Sequence, residues 1–145
     1  MEKIEGIVAI GFGGVASENL KRVKHLIQER MDLPELVDGT LNIKVAKYYP
    51  ITAVDAVITP QEYNHNKECI KLKRCRIRGL KGVIVRPSQH DNPDNEGLWF
   101  RVEIMSHHEL KQELNLKIDD IVEIEVEKET KNEDEWWNTP EKKQM

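Results

Sequence analysis

The sequence predicts a compact, mainly β domain, either a small barrel or an α+β fold, on three observations. Six or so short segments alternate apolar and polar residues as strands do. Only two stretches carry helical periodicity, and they interrupt the strands irregularly, which argues against the regular alternation of a doubly wound nucleotide fold. The chain has 145 residues, 39% hydrophobic and 33% charged, enough for one ordered domain with a well-solvated surface.

Ile4–Ile10 opens the chain as a strand, with Ile4, Val8 and Ile10 on one side, and runs into the glycine-rich segment Gly11-Phe12-Gly13-Gly14. Ser17 stands where a helix N-cap belongs, and Leu20, Val23, Ile27 and Met31 form one apolar face over Glu18–Met31. Pro34 ends that helix. Asp38-Gly39 is a turn, and Leu41, Ile43 and Val45 alternate as the next strand. Tyr48–Gln61 is irregular around one short strand near Val54–Ile58. Cys69–Arg78 is a longer strand whose apolar phase slips between Leu72 and Cys75, as a bulge would make it. Gly79 and Gly82 bracket a turn into Val83–Val85, and Ser88–Gly97 is a polar loop. Trp99–Met105 is a strand, Ser106–Glu109 matches a capping box before a short helix to about Leu114, and Ile121–Val126 is the last strand. Residues 1–127 thus form the domain. Lys128–Met145 reads as a flexible charged tail, although Trp136-Trp137 could fold it back onto the domain or dock a partner.

A net charge of −4 supplies no basic field for nucleic acid. No apolar run approaches the roughly 20 residues that span a bilayer. Met1–Glu5 carries charges of both signs and does not read as a signal peptide. Cys69 and Cys75 lack the partners of a zinc site or a disulfide framework, and read as reduced thiols of a cytoplasmic protein.

Candidate chemistry sits at four places. The glycine segment could cradle a phosphate at a helix start, or be a plain tight turn; it lacks the spacing and the lysine of a P-loop. Thr40 and Asn42, two apart on an extended chain, offer neutral oxygens on one face, suited to Mg²⁺ beside nucleotide phosphates or to a simple Asx/ST turn. Ser106–Lys111 could present N–H groups and the Lys111 charge to a phosphate, with Glu109 capping; His107 and His108 would face different ways on a helix, and no third ligand for a metal is in view. Glu103 alternates with Arg101 and Met105, the pattern of a solvated strand face, and His90 falls in the polar loop. Arg74, Arg76 and Arg78 share a strand face, as a basic ligand rim or a solvated edge would.

Gly39-Thr40-Leu41-Asn42 with Ile43–Val45, then Gly82–Pro87, Val102–Met105, Leu110–Leu116 and Ile121–Val126, in that order, resemble the archaeal CTP-dependent riboflavin kinases over about Ile4–Val126. The resemblance implies a six-stranded cradle-loop β-barrel with two peripheral helices, and Mg²⁺-dependent transfer of the γ-phosphoryl group of CTP to riboflavin. It implies that Gly11, Phe12, Gly13, Gly14, Val15 and Ala16 bind the nucleotide with His108, Glu109, Leu110 and Lys111. Thr40 and Asn42 would ligate Mg²⁺, His90 would lie by the flavin, and Glu103 would orient or deprotonate the acceptor hydroxyl. The chain departs from the family's Gly-x-Gly-Glu-Gly-Arg loop at Gly14, Val15 and Ala16, and from its Leu-Arg at Lys111. Those departures keep open an altered acceptor, or a non-catalytic nucleotide- or flavin-binding regulatory domain on the same barrel. The expected partners are a nucleotide and a flavin-like small molecule, with no nucleic acid or membrane, and the expected state is a monomer or weak homo-oligomer.

Overall fold

A computed structural model describes residues 2–10, 17–51, 54–63, 68–88, 99–126 and 133–144. Its strands are β1 (Glu2–Val8), β2 (Leu41–Val45), β3 (Ala56–Ile58), β4 (Ile70–Ile77), β5 (Leu80–Pro87), β6 (Arg101–Met105) and β7 (Ile121–Val126). The helices are α1 (Ser17–Met31), α2 (Leu110–Glu113) and α3 (Glu133–Asn138), with a 3₁₀ turn at Pro60–Tyr63. Six strands close an antiparallel barrel in the order β4-β5-β6-β2-β1-β7, with β7 pairing back to β4; β3 extends β4 outside it. Among the described residues no helix is long and apolar enough to cross a membrane.

Alternation assigns each strand two jobs. Ile43, Cys75, Ile77, Ile84, Ile104 and Ile124 point inward and fill the barrel. Leu72, Val83, Val85 and Met105 point outward beneath Val23, Ile27 and Met31 of α1, forming a second core. Burying those three helix side chains contributes roughly 5–9 kcal/mol as an upper estimate, far more than helix propensity offers, so packing holds α1 in place.

The double duty explains the phase slip in β4. It pairs with β5 without a bulge, from Ile70↔Pro87 to Ile77↔Leu80 in unbroken register. Ile70 and Leu72 face α1, Cys75 and Ile77 face the barrel, and both sides are buried, so the expected bulge is absent. The hairpin turn is Arg78-Gly79, both at positive φ, as a two-residue turn of this hand requires; Gly82 lies within β5 and does not bracket it. Ile10, expected on the buried side of β1, is instead 74% exposed beyond the strand's end.

The C-terminal segment folds back onto the barrel. Trp137 is 3% exposed, donates from Nε1 to Met31 O at 3.3 Å, and stacks under Arg74 and Lys81 at 5.4 and 5.0 Å. Arg76 lies over Trp136 at 5.5 Å and donates to the carbonyls of Trp136, Trp137 and Thr139. Gln144 N donates to Arg78 O at 2.7 Å. The arginine row is therefore neither a ligand rim nor a solvated edge: it is the seat of the tail. Truncating a buried Trp costs about 3–5 kcal/mol, so Trp137→Ala is expected to raise the tail's opening by about a hundredfold or more. Hydrogen exchange across residues 133–144 should show that increase while barrel amides keep their protection.

Candidate functional site

Gly39, at φ +88, turns the chain into β2, and Thr40 and Asn42 follow on one side as the spacing predicts. The Thr40 hydroxyl donates to Asn42 Oδ1 at 3.0 Å, and Asn42 Nδ2 donates to Thr40 O at 3.3 Å. Asn42 is 5% exposed. Its carbonyl accepts from Ala9 N at 2.8 Å, so the chain heads toward the glycine segment directly beside Asn42. Gly11, Phe12, Gly13, Gly14, Val15 and Ala16, and likewise His90, lie outside the described residues.

A cleft of about 110 Å³ opens next to this pair, lined by residues 37–41 on one wall and by Ser106 and His108, Glu109, Leu110 and Lys111 on the other. Val37 N donates to Ser106 O at 2.9 Å, which ties the two walls together. Lys24 of α1 braces the first wall through an ion pair with Asp38 at 2.7 Å. Thr40 and the His108–Lys111 segment, 68 or more positions apart in sequence, thus meet across one cleft.

The second wall is not a capped helix start. Ser106 Oγ donates to Lys81 O at 2.6 Å and accepts from His108 N at 3.0 Å, a local turn. The helix itself begins only at Leu110, and Glu109 makes no side-chain cap. The hydroxyl that would have capped a helix is held by β5 instead.

Glu103 departs further from expectation. It is 1% exposed rather than solvated, and neither carboxylate oxygen has a hydrogen-bond partner among the described residues. It faces outward on β6, across the ladder from Asn42 on one side and Val85 on the other. Burial pushes its pKa up, with Glu68 adding and Arg101 opposing. A buried carboxyl without partners among the described residues costs stability, which singles Glu103 out as a candidate functional group. Glu103 does not line the 110 Å³ cleft; it reaches the same neighbourhood through Asn42.

His107 and His108 also behave unexpectedly. They precede α2, and their rings lie 4.0 Å apart, tilted by 42°, instead of diverging. Both meet Glu141 of the tail, His107 Nε2 at 3.1 Å and His108 Nε2 at 2.6 Å. Burial and the neighbouring His108 lower the His107 pKa. Burial alone would raise that of Glu141, but the Lys81 N–H and the two imidazoles outweigh it and hold the carboxyl below its ordinary value. Nothing near His108 in sequence announced this third side chain.

A family model for the CTP-dependent riboflavin kinase domain, described as domain of unknown function DUF120, matches residues 18–126. The chain belongs to this family. Riboflavin kinases of Pyrobaculum arsenaticum and Pyrobaculum aerophilum are 29% and 28% identical to it over 132 residues. That alignment covers 86% of this chain and 60% of each relative, so the chain spans about 60% of the length of the curated relatives it matches. Within the riboflavin kinase domain fall Thr40, Asn42, Glu103 and His108–Lys111; the glycine segment lies just before the matched residues.

Proposed function

We propose that the chain is a phosphotransferase of the CTP-dependent riboflavin kinase type, converting CTP and riboflavin to CDP and FMN. The observation that carries this is the Thr40–Asn42 oxygen pair, 3.0 Å apart, between a cleft and a buried carboxyl that has no hydrogen-bond partner among the described residues.

The pair fits a divalent cation. Neighbouring oxygens on an octahedral Mg²⁺, at about 2.0–2.1 Å from the ion, stand roughly 3 Å apart, and neutral protein oxygens suit an ion whose charge is met by phosphates. When bound, Mg²⁺ would neutralise charge on the transferring phosphoryl group. Thr40 Oγ1 and Asn42 Oδ1 would hold it, with the Thr40 hydroxyl turning its proton away from Asn42. In the cleft, Lys111 would add a cation for the nucleotide phosphates, and the walls at residues 37–41 and 108–111 would position the nucleotide. Glu103 would accept the proton of the riboflavin 5′-hydroxyl as that oxygen attacks. Burial raises its pKa, so that once ionised its carboxylate is a stronger base than an exposed glutamate.

The departures at Gly14, Val15 and Ala16 support a second reading, a nucleotide- or flavin-binding domain without catalysis, because the expected carboxylate and guanidinium of that loop are missing. Incubation with CTP, Mg²⁺ and riboflavin separates the two. FMN formation is expected; calorimetric heat from CTP or flavin without FMN would establish the binding domain, and neither heat nor product would remove both.

A further inference from the structure

His107, His108 and Glu141 place two imidazoles and a carboxylate with their ligand atoms within 4.8 Å of one another. The three side chains are 16%, 21% and 21% exposed, open enough for an ion to enter. His108 carries a carboxylate at each ring nitrogen: Nε2 lies 2.6 Å from Glu141 Oε2, and Nδ1 lies 3.0 and 3.2 Å from the two oxygens of Glu113. A neutral imidazole has one proton, so it can satisfy only one of those partners. The other contact needs a second proton or a metal ion. His107 Nε2 points at the remaining oxygen of the same carboxylate, 3.1 Å away, so an ion there would gain a second imidazole.

We propose that His107 Nε2, His108 Nε2 and the Glu141 carboxylate form a binding site for a zinc-type divalent cation, which clamps the C-terminal tail to the wall of the cleft. Two imidazoles and one carboxylate, with a fourth position left to water, are the donor set of an open tetrahedral zinc site. Imidazole ligands select zinc, cobalt or nickel over magnesium, so this site differs in kind from the Thr40–Asn42 pair. Glu113 acts as the positioning residue. By accepting from His108 Nδ1–H it leaves Nε2 with its lone pair toward the ion, the arrangement by which carboxylates orient metal-bound histidines. Lys81 N–H, donating to Glu141 Oε2 at 2.9 Å, fixes the carboxylate from behind. Because His108 also lines the cleft, the ion would couple the seating of the tail to that wall. The proposal stands whether or not the chain is a kinase.

The test uses the full chain, stripped with EDTA and titrated with Co²⁺ and with Zn²⁺. One equivalent of Co²⁺ is expected to give the intense visible bands of a tetrahedral site, displaced by Zn²⁺ and unaffected by excess Mg²⁺. Glu141→Gln lies in the tail and leaves the barrel's packing untouched; it should lower Co²⁺ affinity at least about a hundredfold, and His108→Ala likewise. Glu113→Gln should weaken binding about 10–100-fold and shift the bands, as loss of an outer-shell partner does. Cys69→Ser should change nothing. Zn²⁺ should slow proteolysis of the tail in the native chain but not in Glu141→Gln. Absence of tetrahedral bands in the native chain, or bands of undiminished affinity in Glu141→Gln, would overturn the proposal in favour of a protonated histidine pair.

Discussion

Thr40→Ala combined with Asn42→Ala should abolish magnesium-dependent CTP binding while leaving a folded barrel. Both side chains sit at the mouth of β2 and bond mainly to each other, so removing the pair together leaves few partners stranded. Losing outer-shell partners alone typically costs about 10–100-fold in metal affinity, so losing two direct oxygens should cost at least about a hundredfold. Calorimetry with CTP, with and without Mg²⁺, gives a sharp reading. In the native chain EDTA should weaken CTP binding greatly; in the double variant EDTA should make no difference, and the residual affinity should match that of the native chain in EDTA. A double variant that keeps its full response to Mg²⁺ would reduce Thr40 and Asn42 to a turn that opens a strand. Asn42 is 5% exposed, so circular dichroism must accompany the titration to show that the barrel survives.

Where one face of an element is buried and the other solvated, the sequence was readable. The stripe Val23, Ile27 and Met31 on α1 and the alternation of Val122, Ile124 and Val126 on β7 are of that kind. Reading failed where both faces are covered. In β4 the inward and outward apolar residues overlap in sequence, which mimics a bulge. Lys73 and Arg86 look like surface residues yet are each 1% exposed, Lys73 near Asp55 at 3.7 Å and Arg86 bonded to the Arg101 and Trp99 carbonyls. Local motifs also lost to long-range partners. The Ser106 hydroxyl, well placed for a capping box, is drawn to Lys81 O, and the Arg74–Arg76 row is covered by a tail some 60 residues later. The site divides the same way. That Thr40 and Asn42 project from one side followed from their two-residue spacing at the start of β2. The burial of Glu103 arises in the folded sheet, where it lies between Asn42 and Val85 of neighbouring strands, and the partner of His108 lies 33 positions downstream, so neither could be seen locally.

Glu103→Gln should improve stability and destroy activity together, a pairing that a merely structural carboxyl would not produce. A buried polar group without partners costs about 1–3 kcal/mol, and more when it must ionise. The sign follows from its pKa, which burial raises in the folded chain. Below the ordinary glutamate value both folded and unfolded chains hold the proton, and the substitution should matter little. As pH rises past that value the unfolded chain releases its proton while the folded chain still holds it, so native stability falls. Once pH exceeds the raised folded value, the penalty stays constant. Gln cannot ionise and escapes it. Melting temperatures should therefore nearly coincide near pH 4 and diverge toward pH 8, with the variant higher by about 3–10 °C. At pH values where the native carboxyl is ionised, kcat for FMN formation should fall about 10²–10⁴-fold, the usual worth of a positioned base, while native and variant converge toward pH 4. The KM for CTP should change little because Glu103 lies outside the cleft proposed for the nucleotide. A variant with a higher melting temperature and full kcat would leave Glu103 a buried group without a catalytic part. One that loses both stability and activity would mean that its carboxylate is held by partners the protein needs in order to fold.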